Sequence, residues 1–180
     1  MPSAKPDTRE PSMNANRHIK TLFSAMAGTF LLLVGLTNVV DYPTNLAFVR
    51  QVSRMEGLFS GDALRWRRLE APWAHHLLYV VIIAWELGCG ILSWYGAWRM
   101  WRVRGTDADT FRRASKASTY AYGGAVLLWF GGFATVAGEW FLMWRGTAAD
   151  TQGTAFHLAS VFLLLLVFHT SGNDAYDRSR

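Results

Sequence analysis

Four apolar runs, Leu22–Val40, Trp73–Tyr95, Tyr120–Trp144 and Thr154–Thr170, take up about half of the chain. Each is long enough, or nearly so, to cross a bilayer, which takes about 20 apolar residues at 1.5 Å each to pass roughly 30 Å of hydrocarbon. In hydrocarbon every backbone N–H and C=O must be satisfied internally, so a spanning segment is a helix or part of a closed barrel. The runs show no period-2 alternation, which excludes the barrel. The expected fold is an all-α membrane protein. Residues 19–172 form a single four-transmembrane-helix bundle, preceded by a disordered polar stretch at 1–18 and followed by a polar cytoplasmic tail at 173–180.

Composition fits that frame segment by segment. The mean hydropathy of +0.11 is low for a membrane protein because the polar ends and one long loop dilute it. A hydrophobic content of 51% with 14% aromatics leaves little room for a soluble domain. The formal charge of +5 is spread over helix flanks and forms no single basic patch, so nucleic acid is not an expected partner. Cys89 is the only cysteine and lies inside the second run, so no intramolecular disulfide can form.

Charge placement sets the expected orientation. Twelve Lys and Arg residues fall before the first run, between the second and third, and in the tail; six fall on the other side. Positive-inside bias puts both termini in the cytoplasm. Trp94, Trp98 and Trp101 then form the inner aromatic belt, and Tyr42, Trp73, Trp140 and Trp144 the outer one. The first run is too long for a signal peptide and ends in Asn38-Val39-Val40-Asp41, no cleavage site, so it is read as an uncleaved start-transfer helix.

The loop between the first two runs is patterned. Thr44 or Asn45 can cap a helix in which Leu46, Val49, Val52 and Leu58 or Phe59 recur every three or four residues. A second short helix is expected after Asp62, carrying Arg65, Arg67 and Arg68. These short amphipathic helices in the first extracytoplasmic loop serve either as a connector over the bundle or as a docking surface for another protein.

Polar groups gather at one depth. Asn38 and Asp41 end the first run, His75 and His76 open the second, Glu139 lies near the end of the third, and His157 starts the fourth. His75, Tyr79, Ile83, Glu86, Gly90 and Ser93 follow at helical spacing, so the polar side of the second helix is continuous and faces protein. Glu86 falls near mid-membrane, about 15 Å below the histidines at 1.5 Å per residue. His75, His76 and His157 are candidate cofactor ligands for a haem, and the layer could equally seat a quinone. The spacing of a bis-histidine bundle is absent, and polar interhelical contacts explain the layer more simply. No metal site is expected. Gly124, Gly131 and Gly138, spaced by seven, make a groove for close helix approach, with Gly28 and Gly35 as their partners and Glu139 beside them. The groove serves packing within the bundle or a homo-oligomer seam.

Two segments carry a resemblance. Asn38 to Val49 resembles the N-x-x-D-Y-x-x-N-x-x-F-V segment, and Gly138-Glu139-Trp140-Phe141-Leu142-Met143-Trp144 the G-E-W-F-x-M-W segment, of a family of small bacterial integral membrane proteins catalogued as domain of unknown function 2165. Trp66-Arg67 and the spacing His76, Tyr79, Glu86 also fit. The chain departs from the family's pattern after Arg50 and after Trp144, and lacks the Arg usual near His157. The resemblance implies a four-span inner-membrane protein and no particular reaction.

No phosphate loop, nucleophile elbow or Cys–His pair is present, so no catalytic residue is assigned and enzymatic activity is not expected. The function expected first is that of a non-catalytic subunit or interaction protein of a membrane complex. The alternatives are a redox-linked subunit holding haem or quinone in the outer-leaflet polar layer, and a small proton-coupled transporter or channel working through Glu86.

Overall fold

The computed structural model describes residues 10–58 and 63–171, with side chains from residue 15 onward. The chain forms α1 (Glu10–Val40), α2 (Tyr42–Ser53), a 3-10 turn (Arg65–Arg67), α3 (Pro72–Arg102) and α4 (Ala108–Val126). The last of these continues as a π segment (Leu127–Trp140), followed by a second 3-10 turn (Met143–Arg145) and α5 (Ala149–Thr170). Four helical stretches, Ala15–Val40, Pro72–Arg102, Ala108–Trp140 and Ala149–Thr170, are long and apolar enough to cross a membrane. No strand occurs among the described residues.

The boundaries follow from local chemistry. Pro72 opens α3, where its missing N–H costs nothing. Asp107 caps α4 by accepting from the Thr110 backbone N–H at 2.9 Å. The α3–α4 connection is much shorter than the apolar runs suggest, because both helices continue past their apolar parts and carry the basic residues on their ends. Asp41 precedes α2 without a side-chain cap bond, Tyr42 starts it and Pro43 sits in its first turn, so α2 begins ahead of Thr44 and Asn45, the residues expected to cap it. Its far end closes with Met55 in the left-handed region: Met55 N–H reaches Val52 O and Glu56 N–H reaches Gln51 O, both at 2.9 Å. Arg65–Arg67 forms a single 3-10 turn. The Asp62 cap, the first nine residues and the tail from 172 lie outside the described residues.

α1 starts at Glu10, inside the stretch expected to be disordered up to residue 18. The reason is tertiary. Arg17 is buried beneath the α3–α4 connection, donating from Nη1 to Arg104 O at 3.0 Å and Thr106 O at 2.6 Å, with its guanidinium 5.1 Å from the Phe111 ring centre.

α1 packs on α3, α3 on α4, and α4 with its π segment on α5. Apolar surface faces outward, with Val40, Leu127 and Leu164 exposed, while Ser24, Ser93, Ser118, Glu86 and His169 are buried. That inversion suits a lipid solvent, in which burying Leu gains little and helices associate through small residues and polar contacts. At Gly28 an added Cβ would lie 3.0 Å from Gly90 O and 2.7 Å from Trp94 Cδ1; at Gly35 it would meet Leu87. Gly28 and Gly35 therefore serve the α1–α3 contact and not the third span, as the sevenfold spacing had suggested.

The expected glycine groove is broken up by the π segment. Its backbone hydrogen bonds reach back five residues, as in Phe141 N–H to Val136 O at 3.1 Å, and the Thr135 hydroxyl follows the same register to Phe130 O at 2.8 Å. Seven residues make two turns of an α-helix but fall well short of two turns here. Gly124 faces Cys89 on α3, Gly138 faces Gln152 on α5, and Gly131 meets only Leu127 of its own helix.

Candidate functional site

The polar interior divides into two clusters at opposite ends of the bundle. Toward the α2 end, Glu86 is 1% exposed and its Oε2 accepts a 2.7 Å hydrogen bond from Asn38 Nδ2. Tyr79 donates to Asn38 O at 2.8 Å, and so locks the end of α1 to α3. Tyr42 closes the cluster from above, its ring 4.8 Å from that of Tyr79 and stacked on His76, with its hydroxyl 2.9 Å from His76 Nδ1. His75 is buried and its Nε2 donates to Leu69 O at 2.9 Å; its Nδ1 has no partner among the described residues. All six residues of the expected polar side of α3 are buried.

The expected layer is thus narrower than its sequence outline. Asn38, Tyr79 and Glu86 come together. Asp41 and His76 are exposed at the rim, and Glu139 and His157 are exposed as well, so neither reaches the cluster. α-Helical geometry puts Glu139 beside the glycine groove; the π register turns it outward instead. No group of three or more His, Cys, Asp or Glu side chains that could hold a metal ion occurs among the described residues.

Glu86 has no cationic partner among the described residues, and its one hydrogen-bonding neighbour is a neutral amide donor. A carboxyl so placed can take up or release a proton where charge is expensive to bury.

The family pattern of predicted small integral membrane proteins, DUF2165, matches residues 16–171. The chain belongs to that family. The matched residues take in all four spans, both polar clusters and the α2 cap. No curated protein and no solved structure matches it.

The second cluster was not foreseen from sequence. Near the opposite end, Ser24 Oγ lies 2.9 Å from Tyr122 Oη and 3.1 Å from His169 Nε2, and Ser93 donates to Ser24 O at 2.8 Å. Lys20, 1% exposed, reaches His169 O at 3.4 Å, and the Tyr122 and His169 rings meet edge-on at 4.8 Å. α1, α3, α4 and α5 all contribute. His169 Nδ1 faces Leu165 O, which only accepts, so Nδ1 carries a proton. A neutral ring must then accept the Ser24 proton at Nε2, whereas a charged ring leaves that proton to Lys20 O, 2.9 Å from Ser24 Oγ. Single Ser, Tyr and His residues within apolar runs were the visible signal; their convergence needed the helix rotations.

Proposed function

We propose that the protein is a non-catalytic subunit or interaction protein of a membrane assembly, and that the cap formed by α2 and the 63–71 segment is its contact surface. The observation that carries this reading is that the cap is pinned yet presents an open aromatic and basic face. Leu69 N–H bonds Ser53 O at 2.8 Å, Gln51 bonds Thr147 at 2.7 Å, and Leu58 bridges to Gly146. On this fixed base Trp66 stands 69% exposed, and Arg50, Arg54, Arg65 and Arg68 are exposed on the same cap. Arg54 and Arg68 are held by Glu56 and Glu70 at 3.1 and 2.7 Å. Exposed Trp with Arg on a preordered base is the chemistry of interface anchors. The partner of matching chemistry is a membrane protein with an acidic surface at the lipid boundary. A photo-crosslinking residue at position 66 should give a discrete protein adduct in native membranes, and one at lipid-facing position 164 should not. Lipid adducts alone at both positions would overturn the reading.

The charge distribution supports a bacterial inner membrane location with both termini in the cytoplasm. Cys89 is buried and gives little background. Glu70→Cys should therefore react with an impermeant maleimide in intact cells, and Gly105→Cys should not. The reverse labelling would invert the orientation.

Glu86 supports a second reading, a small proton-coupled transporter or channel, because a carboxyl without a cation lies inside the spans. Proton flux into proteoliposomes that survives Glu86→Gln unchanged would end it. The redox alternative, a haem or quinone held by His75, His76 or His157, draws less support: His75 is engaged by Leu69, His76 by Tyr42, and His157 is exposed.

A further inference from the structure

A membrane-facing groove of about 800 Å³ lies between α3 and the π segment. Its walls are Leu77, Leu78 and Val81 on one side and Val136 on the other. Two charged groups, Arg67 and Glu139, stand in the same lining. The volume lies within the roughly 300–1,000 Å³ of small-molecule sites.

The charges are unusual in their pairing. Arg67 Nε is buried and has no hydrogen-bond partner among the described residues. Its guanidinium sits 5.0 Å from the Trp140 ring centre and 5.5 Å from that of Trp66. Neither Arg67 nor Glu139 forms an ion pair among the described residues, although both line one groove. Trp73 and Trp140, in the same lining, mark the depth at which lipid headgroups lie. The π segment sets this geometry, since its register turns Thr135, Val136, Glu139 and Trp140 into the groove.

An unpaired cation and an unpaired anion at headgroup depth, above an apolar trough, match a zwitterion with a hydrocarbon tail. We infer that the groove binds a single aminophospholipid, its phosphate accepting from Arg67 and its primary ammonium donating to Glu139. One acyl chain lies along Leu77, Leu78 and Val81, toward the adjoining apolar cavity of about 270 Å³ beneath Val49 and Val52 of α2. A guanidinium N–H and a phosphate form a strong charge-assisted bond. A quaternary ammonium seeks aromatic faces. Here the lining also holds the Glu139 carboxylate, which accepts N–H bonds that a primary ammonium offers and choline lacks, and this favours a primary amine. A purely anionic headgroup would meet Glu139 as a like charge.

The test is native mass spectrometry of the full chain in micelles, titrated with phosphatidylethanolamine, phosphatidylcholine and phosphatidylglycerol of identical acyl chains. The expected result is one retained phosphatidylethanolamine, bound about fivefold or more tightly than the other two. Arg67→Gln should lower retention of all three. Glu139→Gln should lower phosphatidylethanolamine retention to the level of phosphatidylcholine. Leu77→Trp, on the groove wall, should exclude lipid while leaving the helical circular dichroism unchanged. Equal retention of the three lipids by the wild type, preference for phosphatidylglycerol, or a co-purified quinone in place of phospholipid would each overturn the proposal. The wild-type titration decides even where a variant fails to fold.

Discussion

Asn38 at the end of α1 donates its side-chain amide to Glu86 on α3 across 2.7 Å, while Tyr79 bonds the backbone carbonyl of the same asparagine. Two helices are thus tied through one residue that both gives and receives, and its carboxyl partner is buried. Removing Asn38 strands a buried carboxyl, a loss of about 1–3 kcal/mol and more if it is charged. Changing Glu86 to Gln keeps an oxygen acceptor, so the cost should stay near the roughly 0.6 kcal/mol typical of hydrogen bonds between membrane helices. In thermal melts in a mild detergent, Asn38→Leu should therefore unfold well before Glu86→Gln. Equal melting of the two would show that the pair carries no stability.

At the other end of the bundle, Ser24 meets both Tyr122 and His169. Tyr122→Phe removes the hydroxyl that meets Ser24 and should cost about 0.6 kcal/mol. Ser24→Ala takes the partner from both Tyr122 and His169 and should cost more, up to about 1.7 kcal/mol on the scale of membrane helix pairs. Denaturant titrations in mixed micelles can rank them, and the opposite order would mean that Ser24 is incidental to the cluster.

Glycine substitutions distinguish the true helix contact from the one the spacing suggested. Gly28→Leu drives a side chain against Gly90 and Trp94 of α3, and overpacking of this kind costs about 1–3 kcal/mol. Gly131→Leu meets only Leu127 of its own helix, 3.3 Å from the new Cβ, and should be tolerated. Detergent thermostability of the two variants checks this. A harmless Gly28→Leu would move the α1–α3 seam elsewhere.

Asp107 predicts a pH dependence outside the membrane. The Thr110 backbone N–H and then its hydroxyl hold the Asp107 carboxyl below its ordinary value of 3.8. A carboxyl whose folded value is depressed stabilises the fold above the unfolded value and loses that contribution as pH falls from about 3.8 through the folded one. Asp107→Asn keeps a capping oxygen but does not titrate. The melting difference between wild type and this variant should be constant above pH 5 and shrink below pH 4. A difference that persists unchanged to low pH would show that the cap is not the ionised carboxylate.

Sequence alone determined the four helices and the small, polar character of their inner faces, because the decisive interactions are local. A lipid-exposed backbone has to close its hydrogen bonds within the segment, so apolar length is enough to fix a span. The three-to-four spacing from His75 to Ser93 likewise marked a buried face, since both periodicity and burial belong to one helix. Which polar groups meet was decided only in three dimensions. Glu139 and His157 share a depth with Asn38 yet are exposed, because depth follows from rise along a helix and facing follows from its rotation. The π segment changes that rotation over Leu127–Trp140, and no propensity in these residues announces a hydrogen bond that skips five. The Ser24, Tyr122 and His169 cluster and the groove between Arg67 and Glu139 arise the same way, from side chains far apart in sequence whose meeting depends on how whole helices turn against one another.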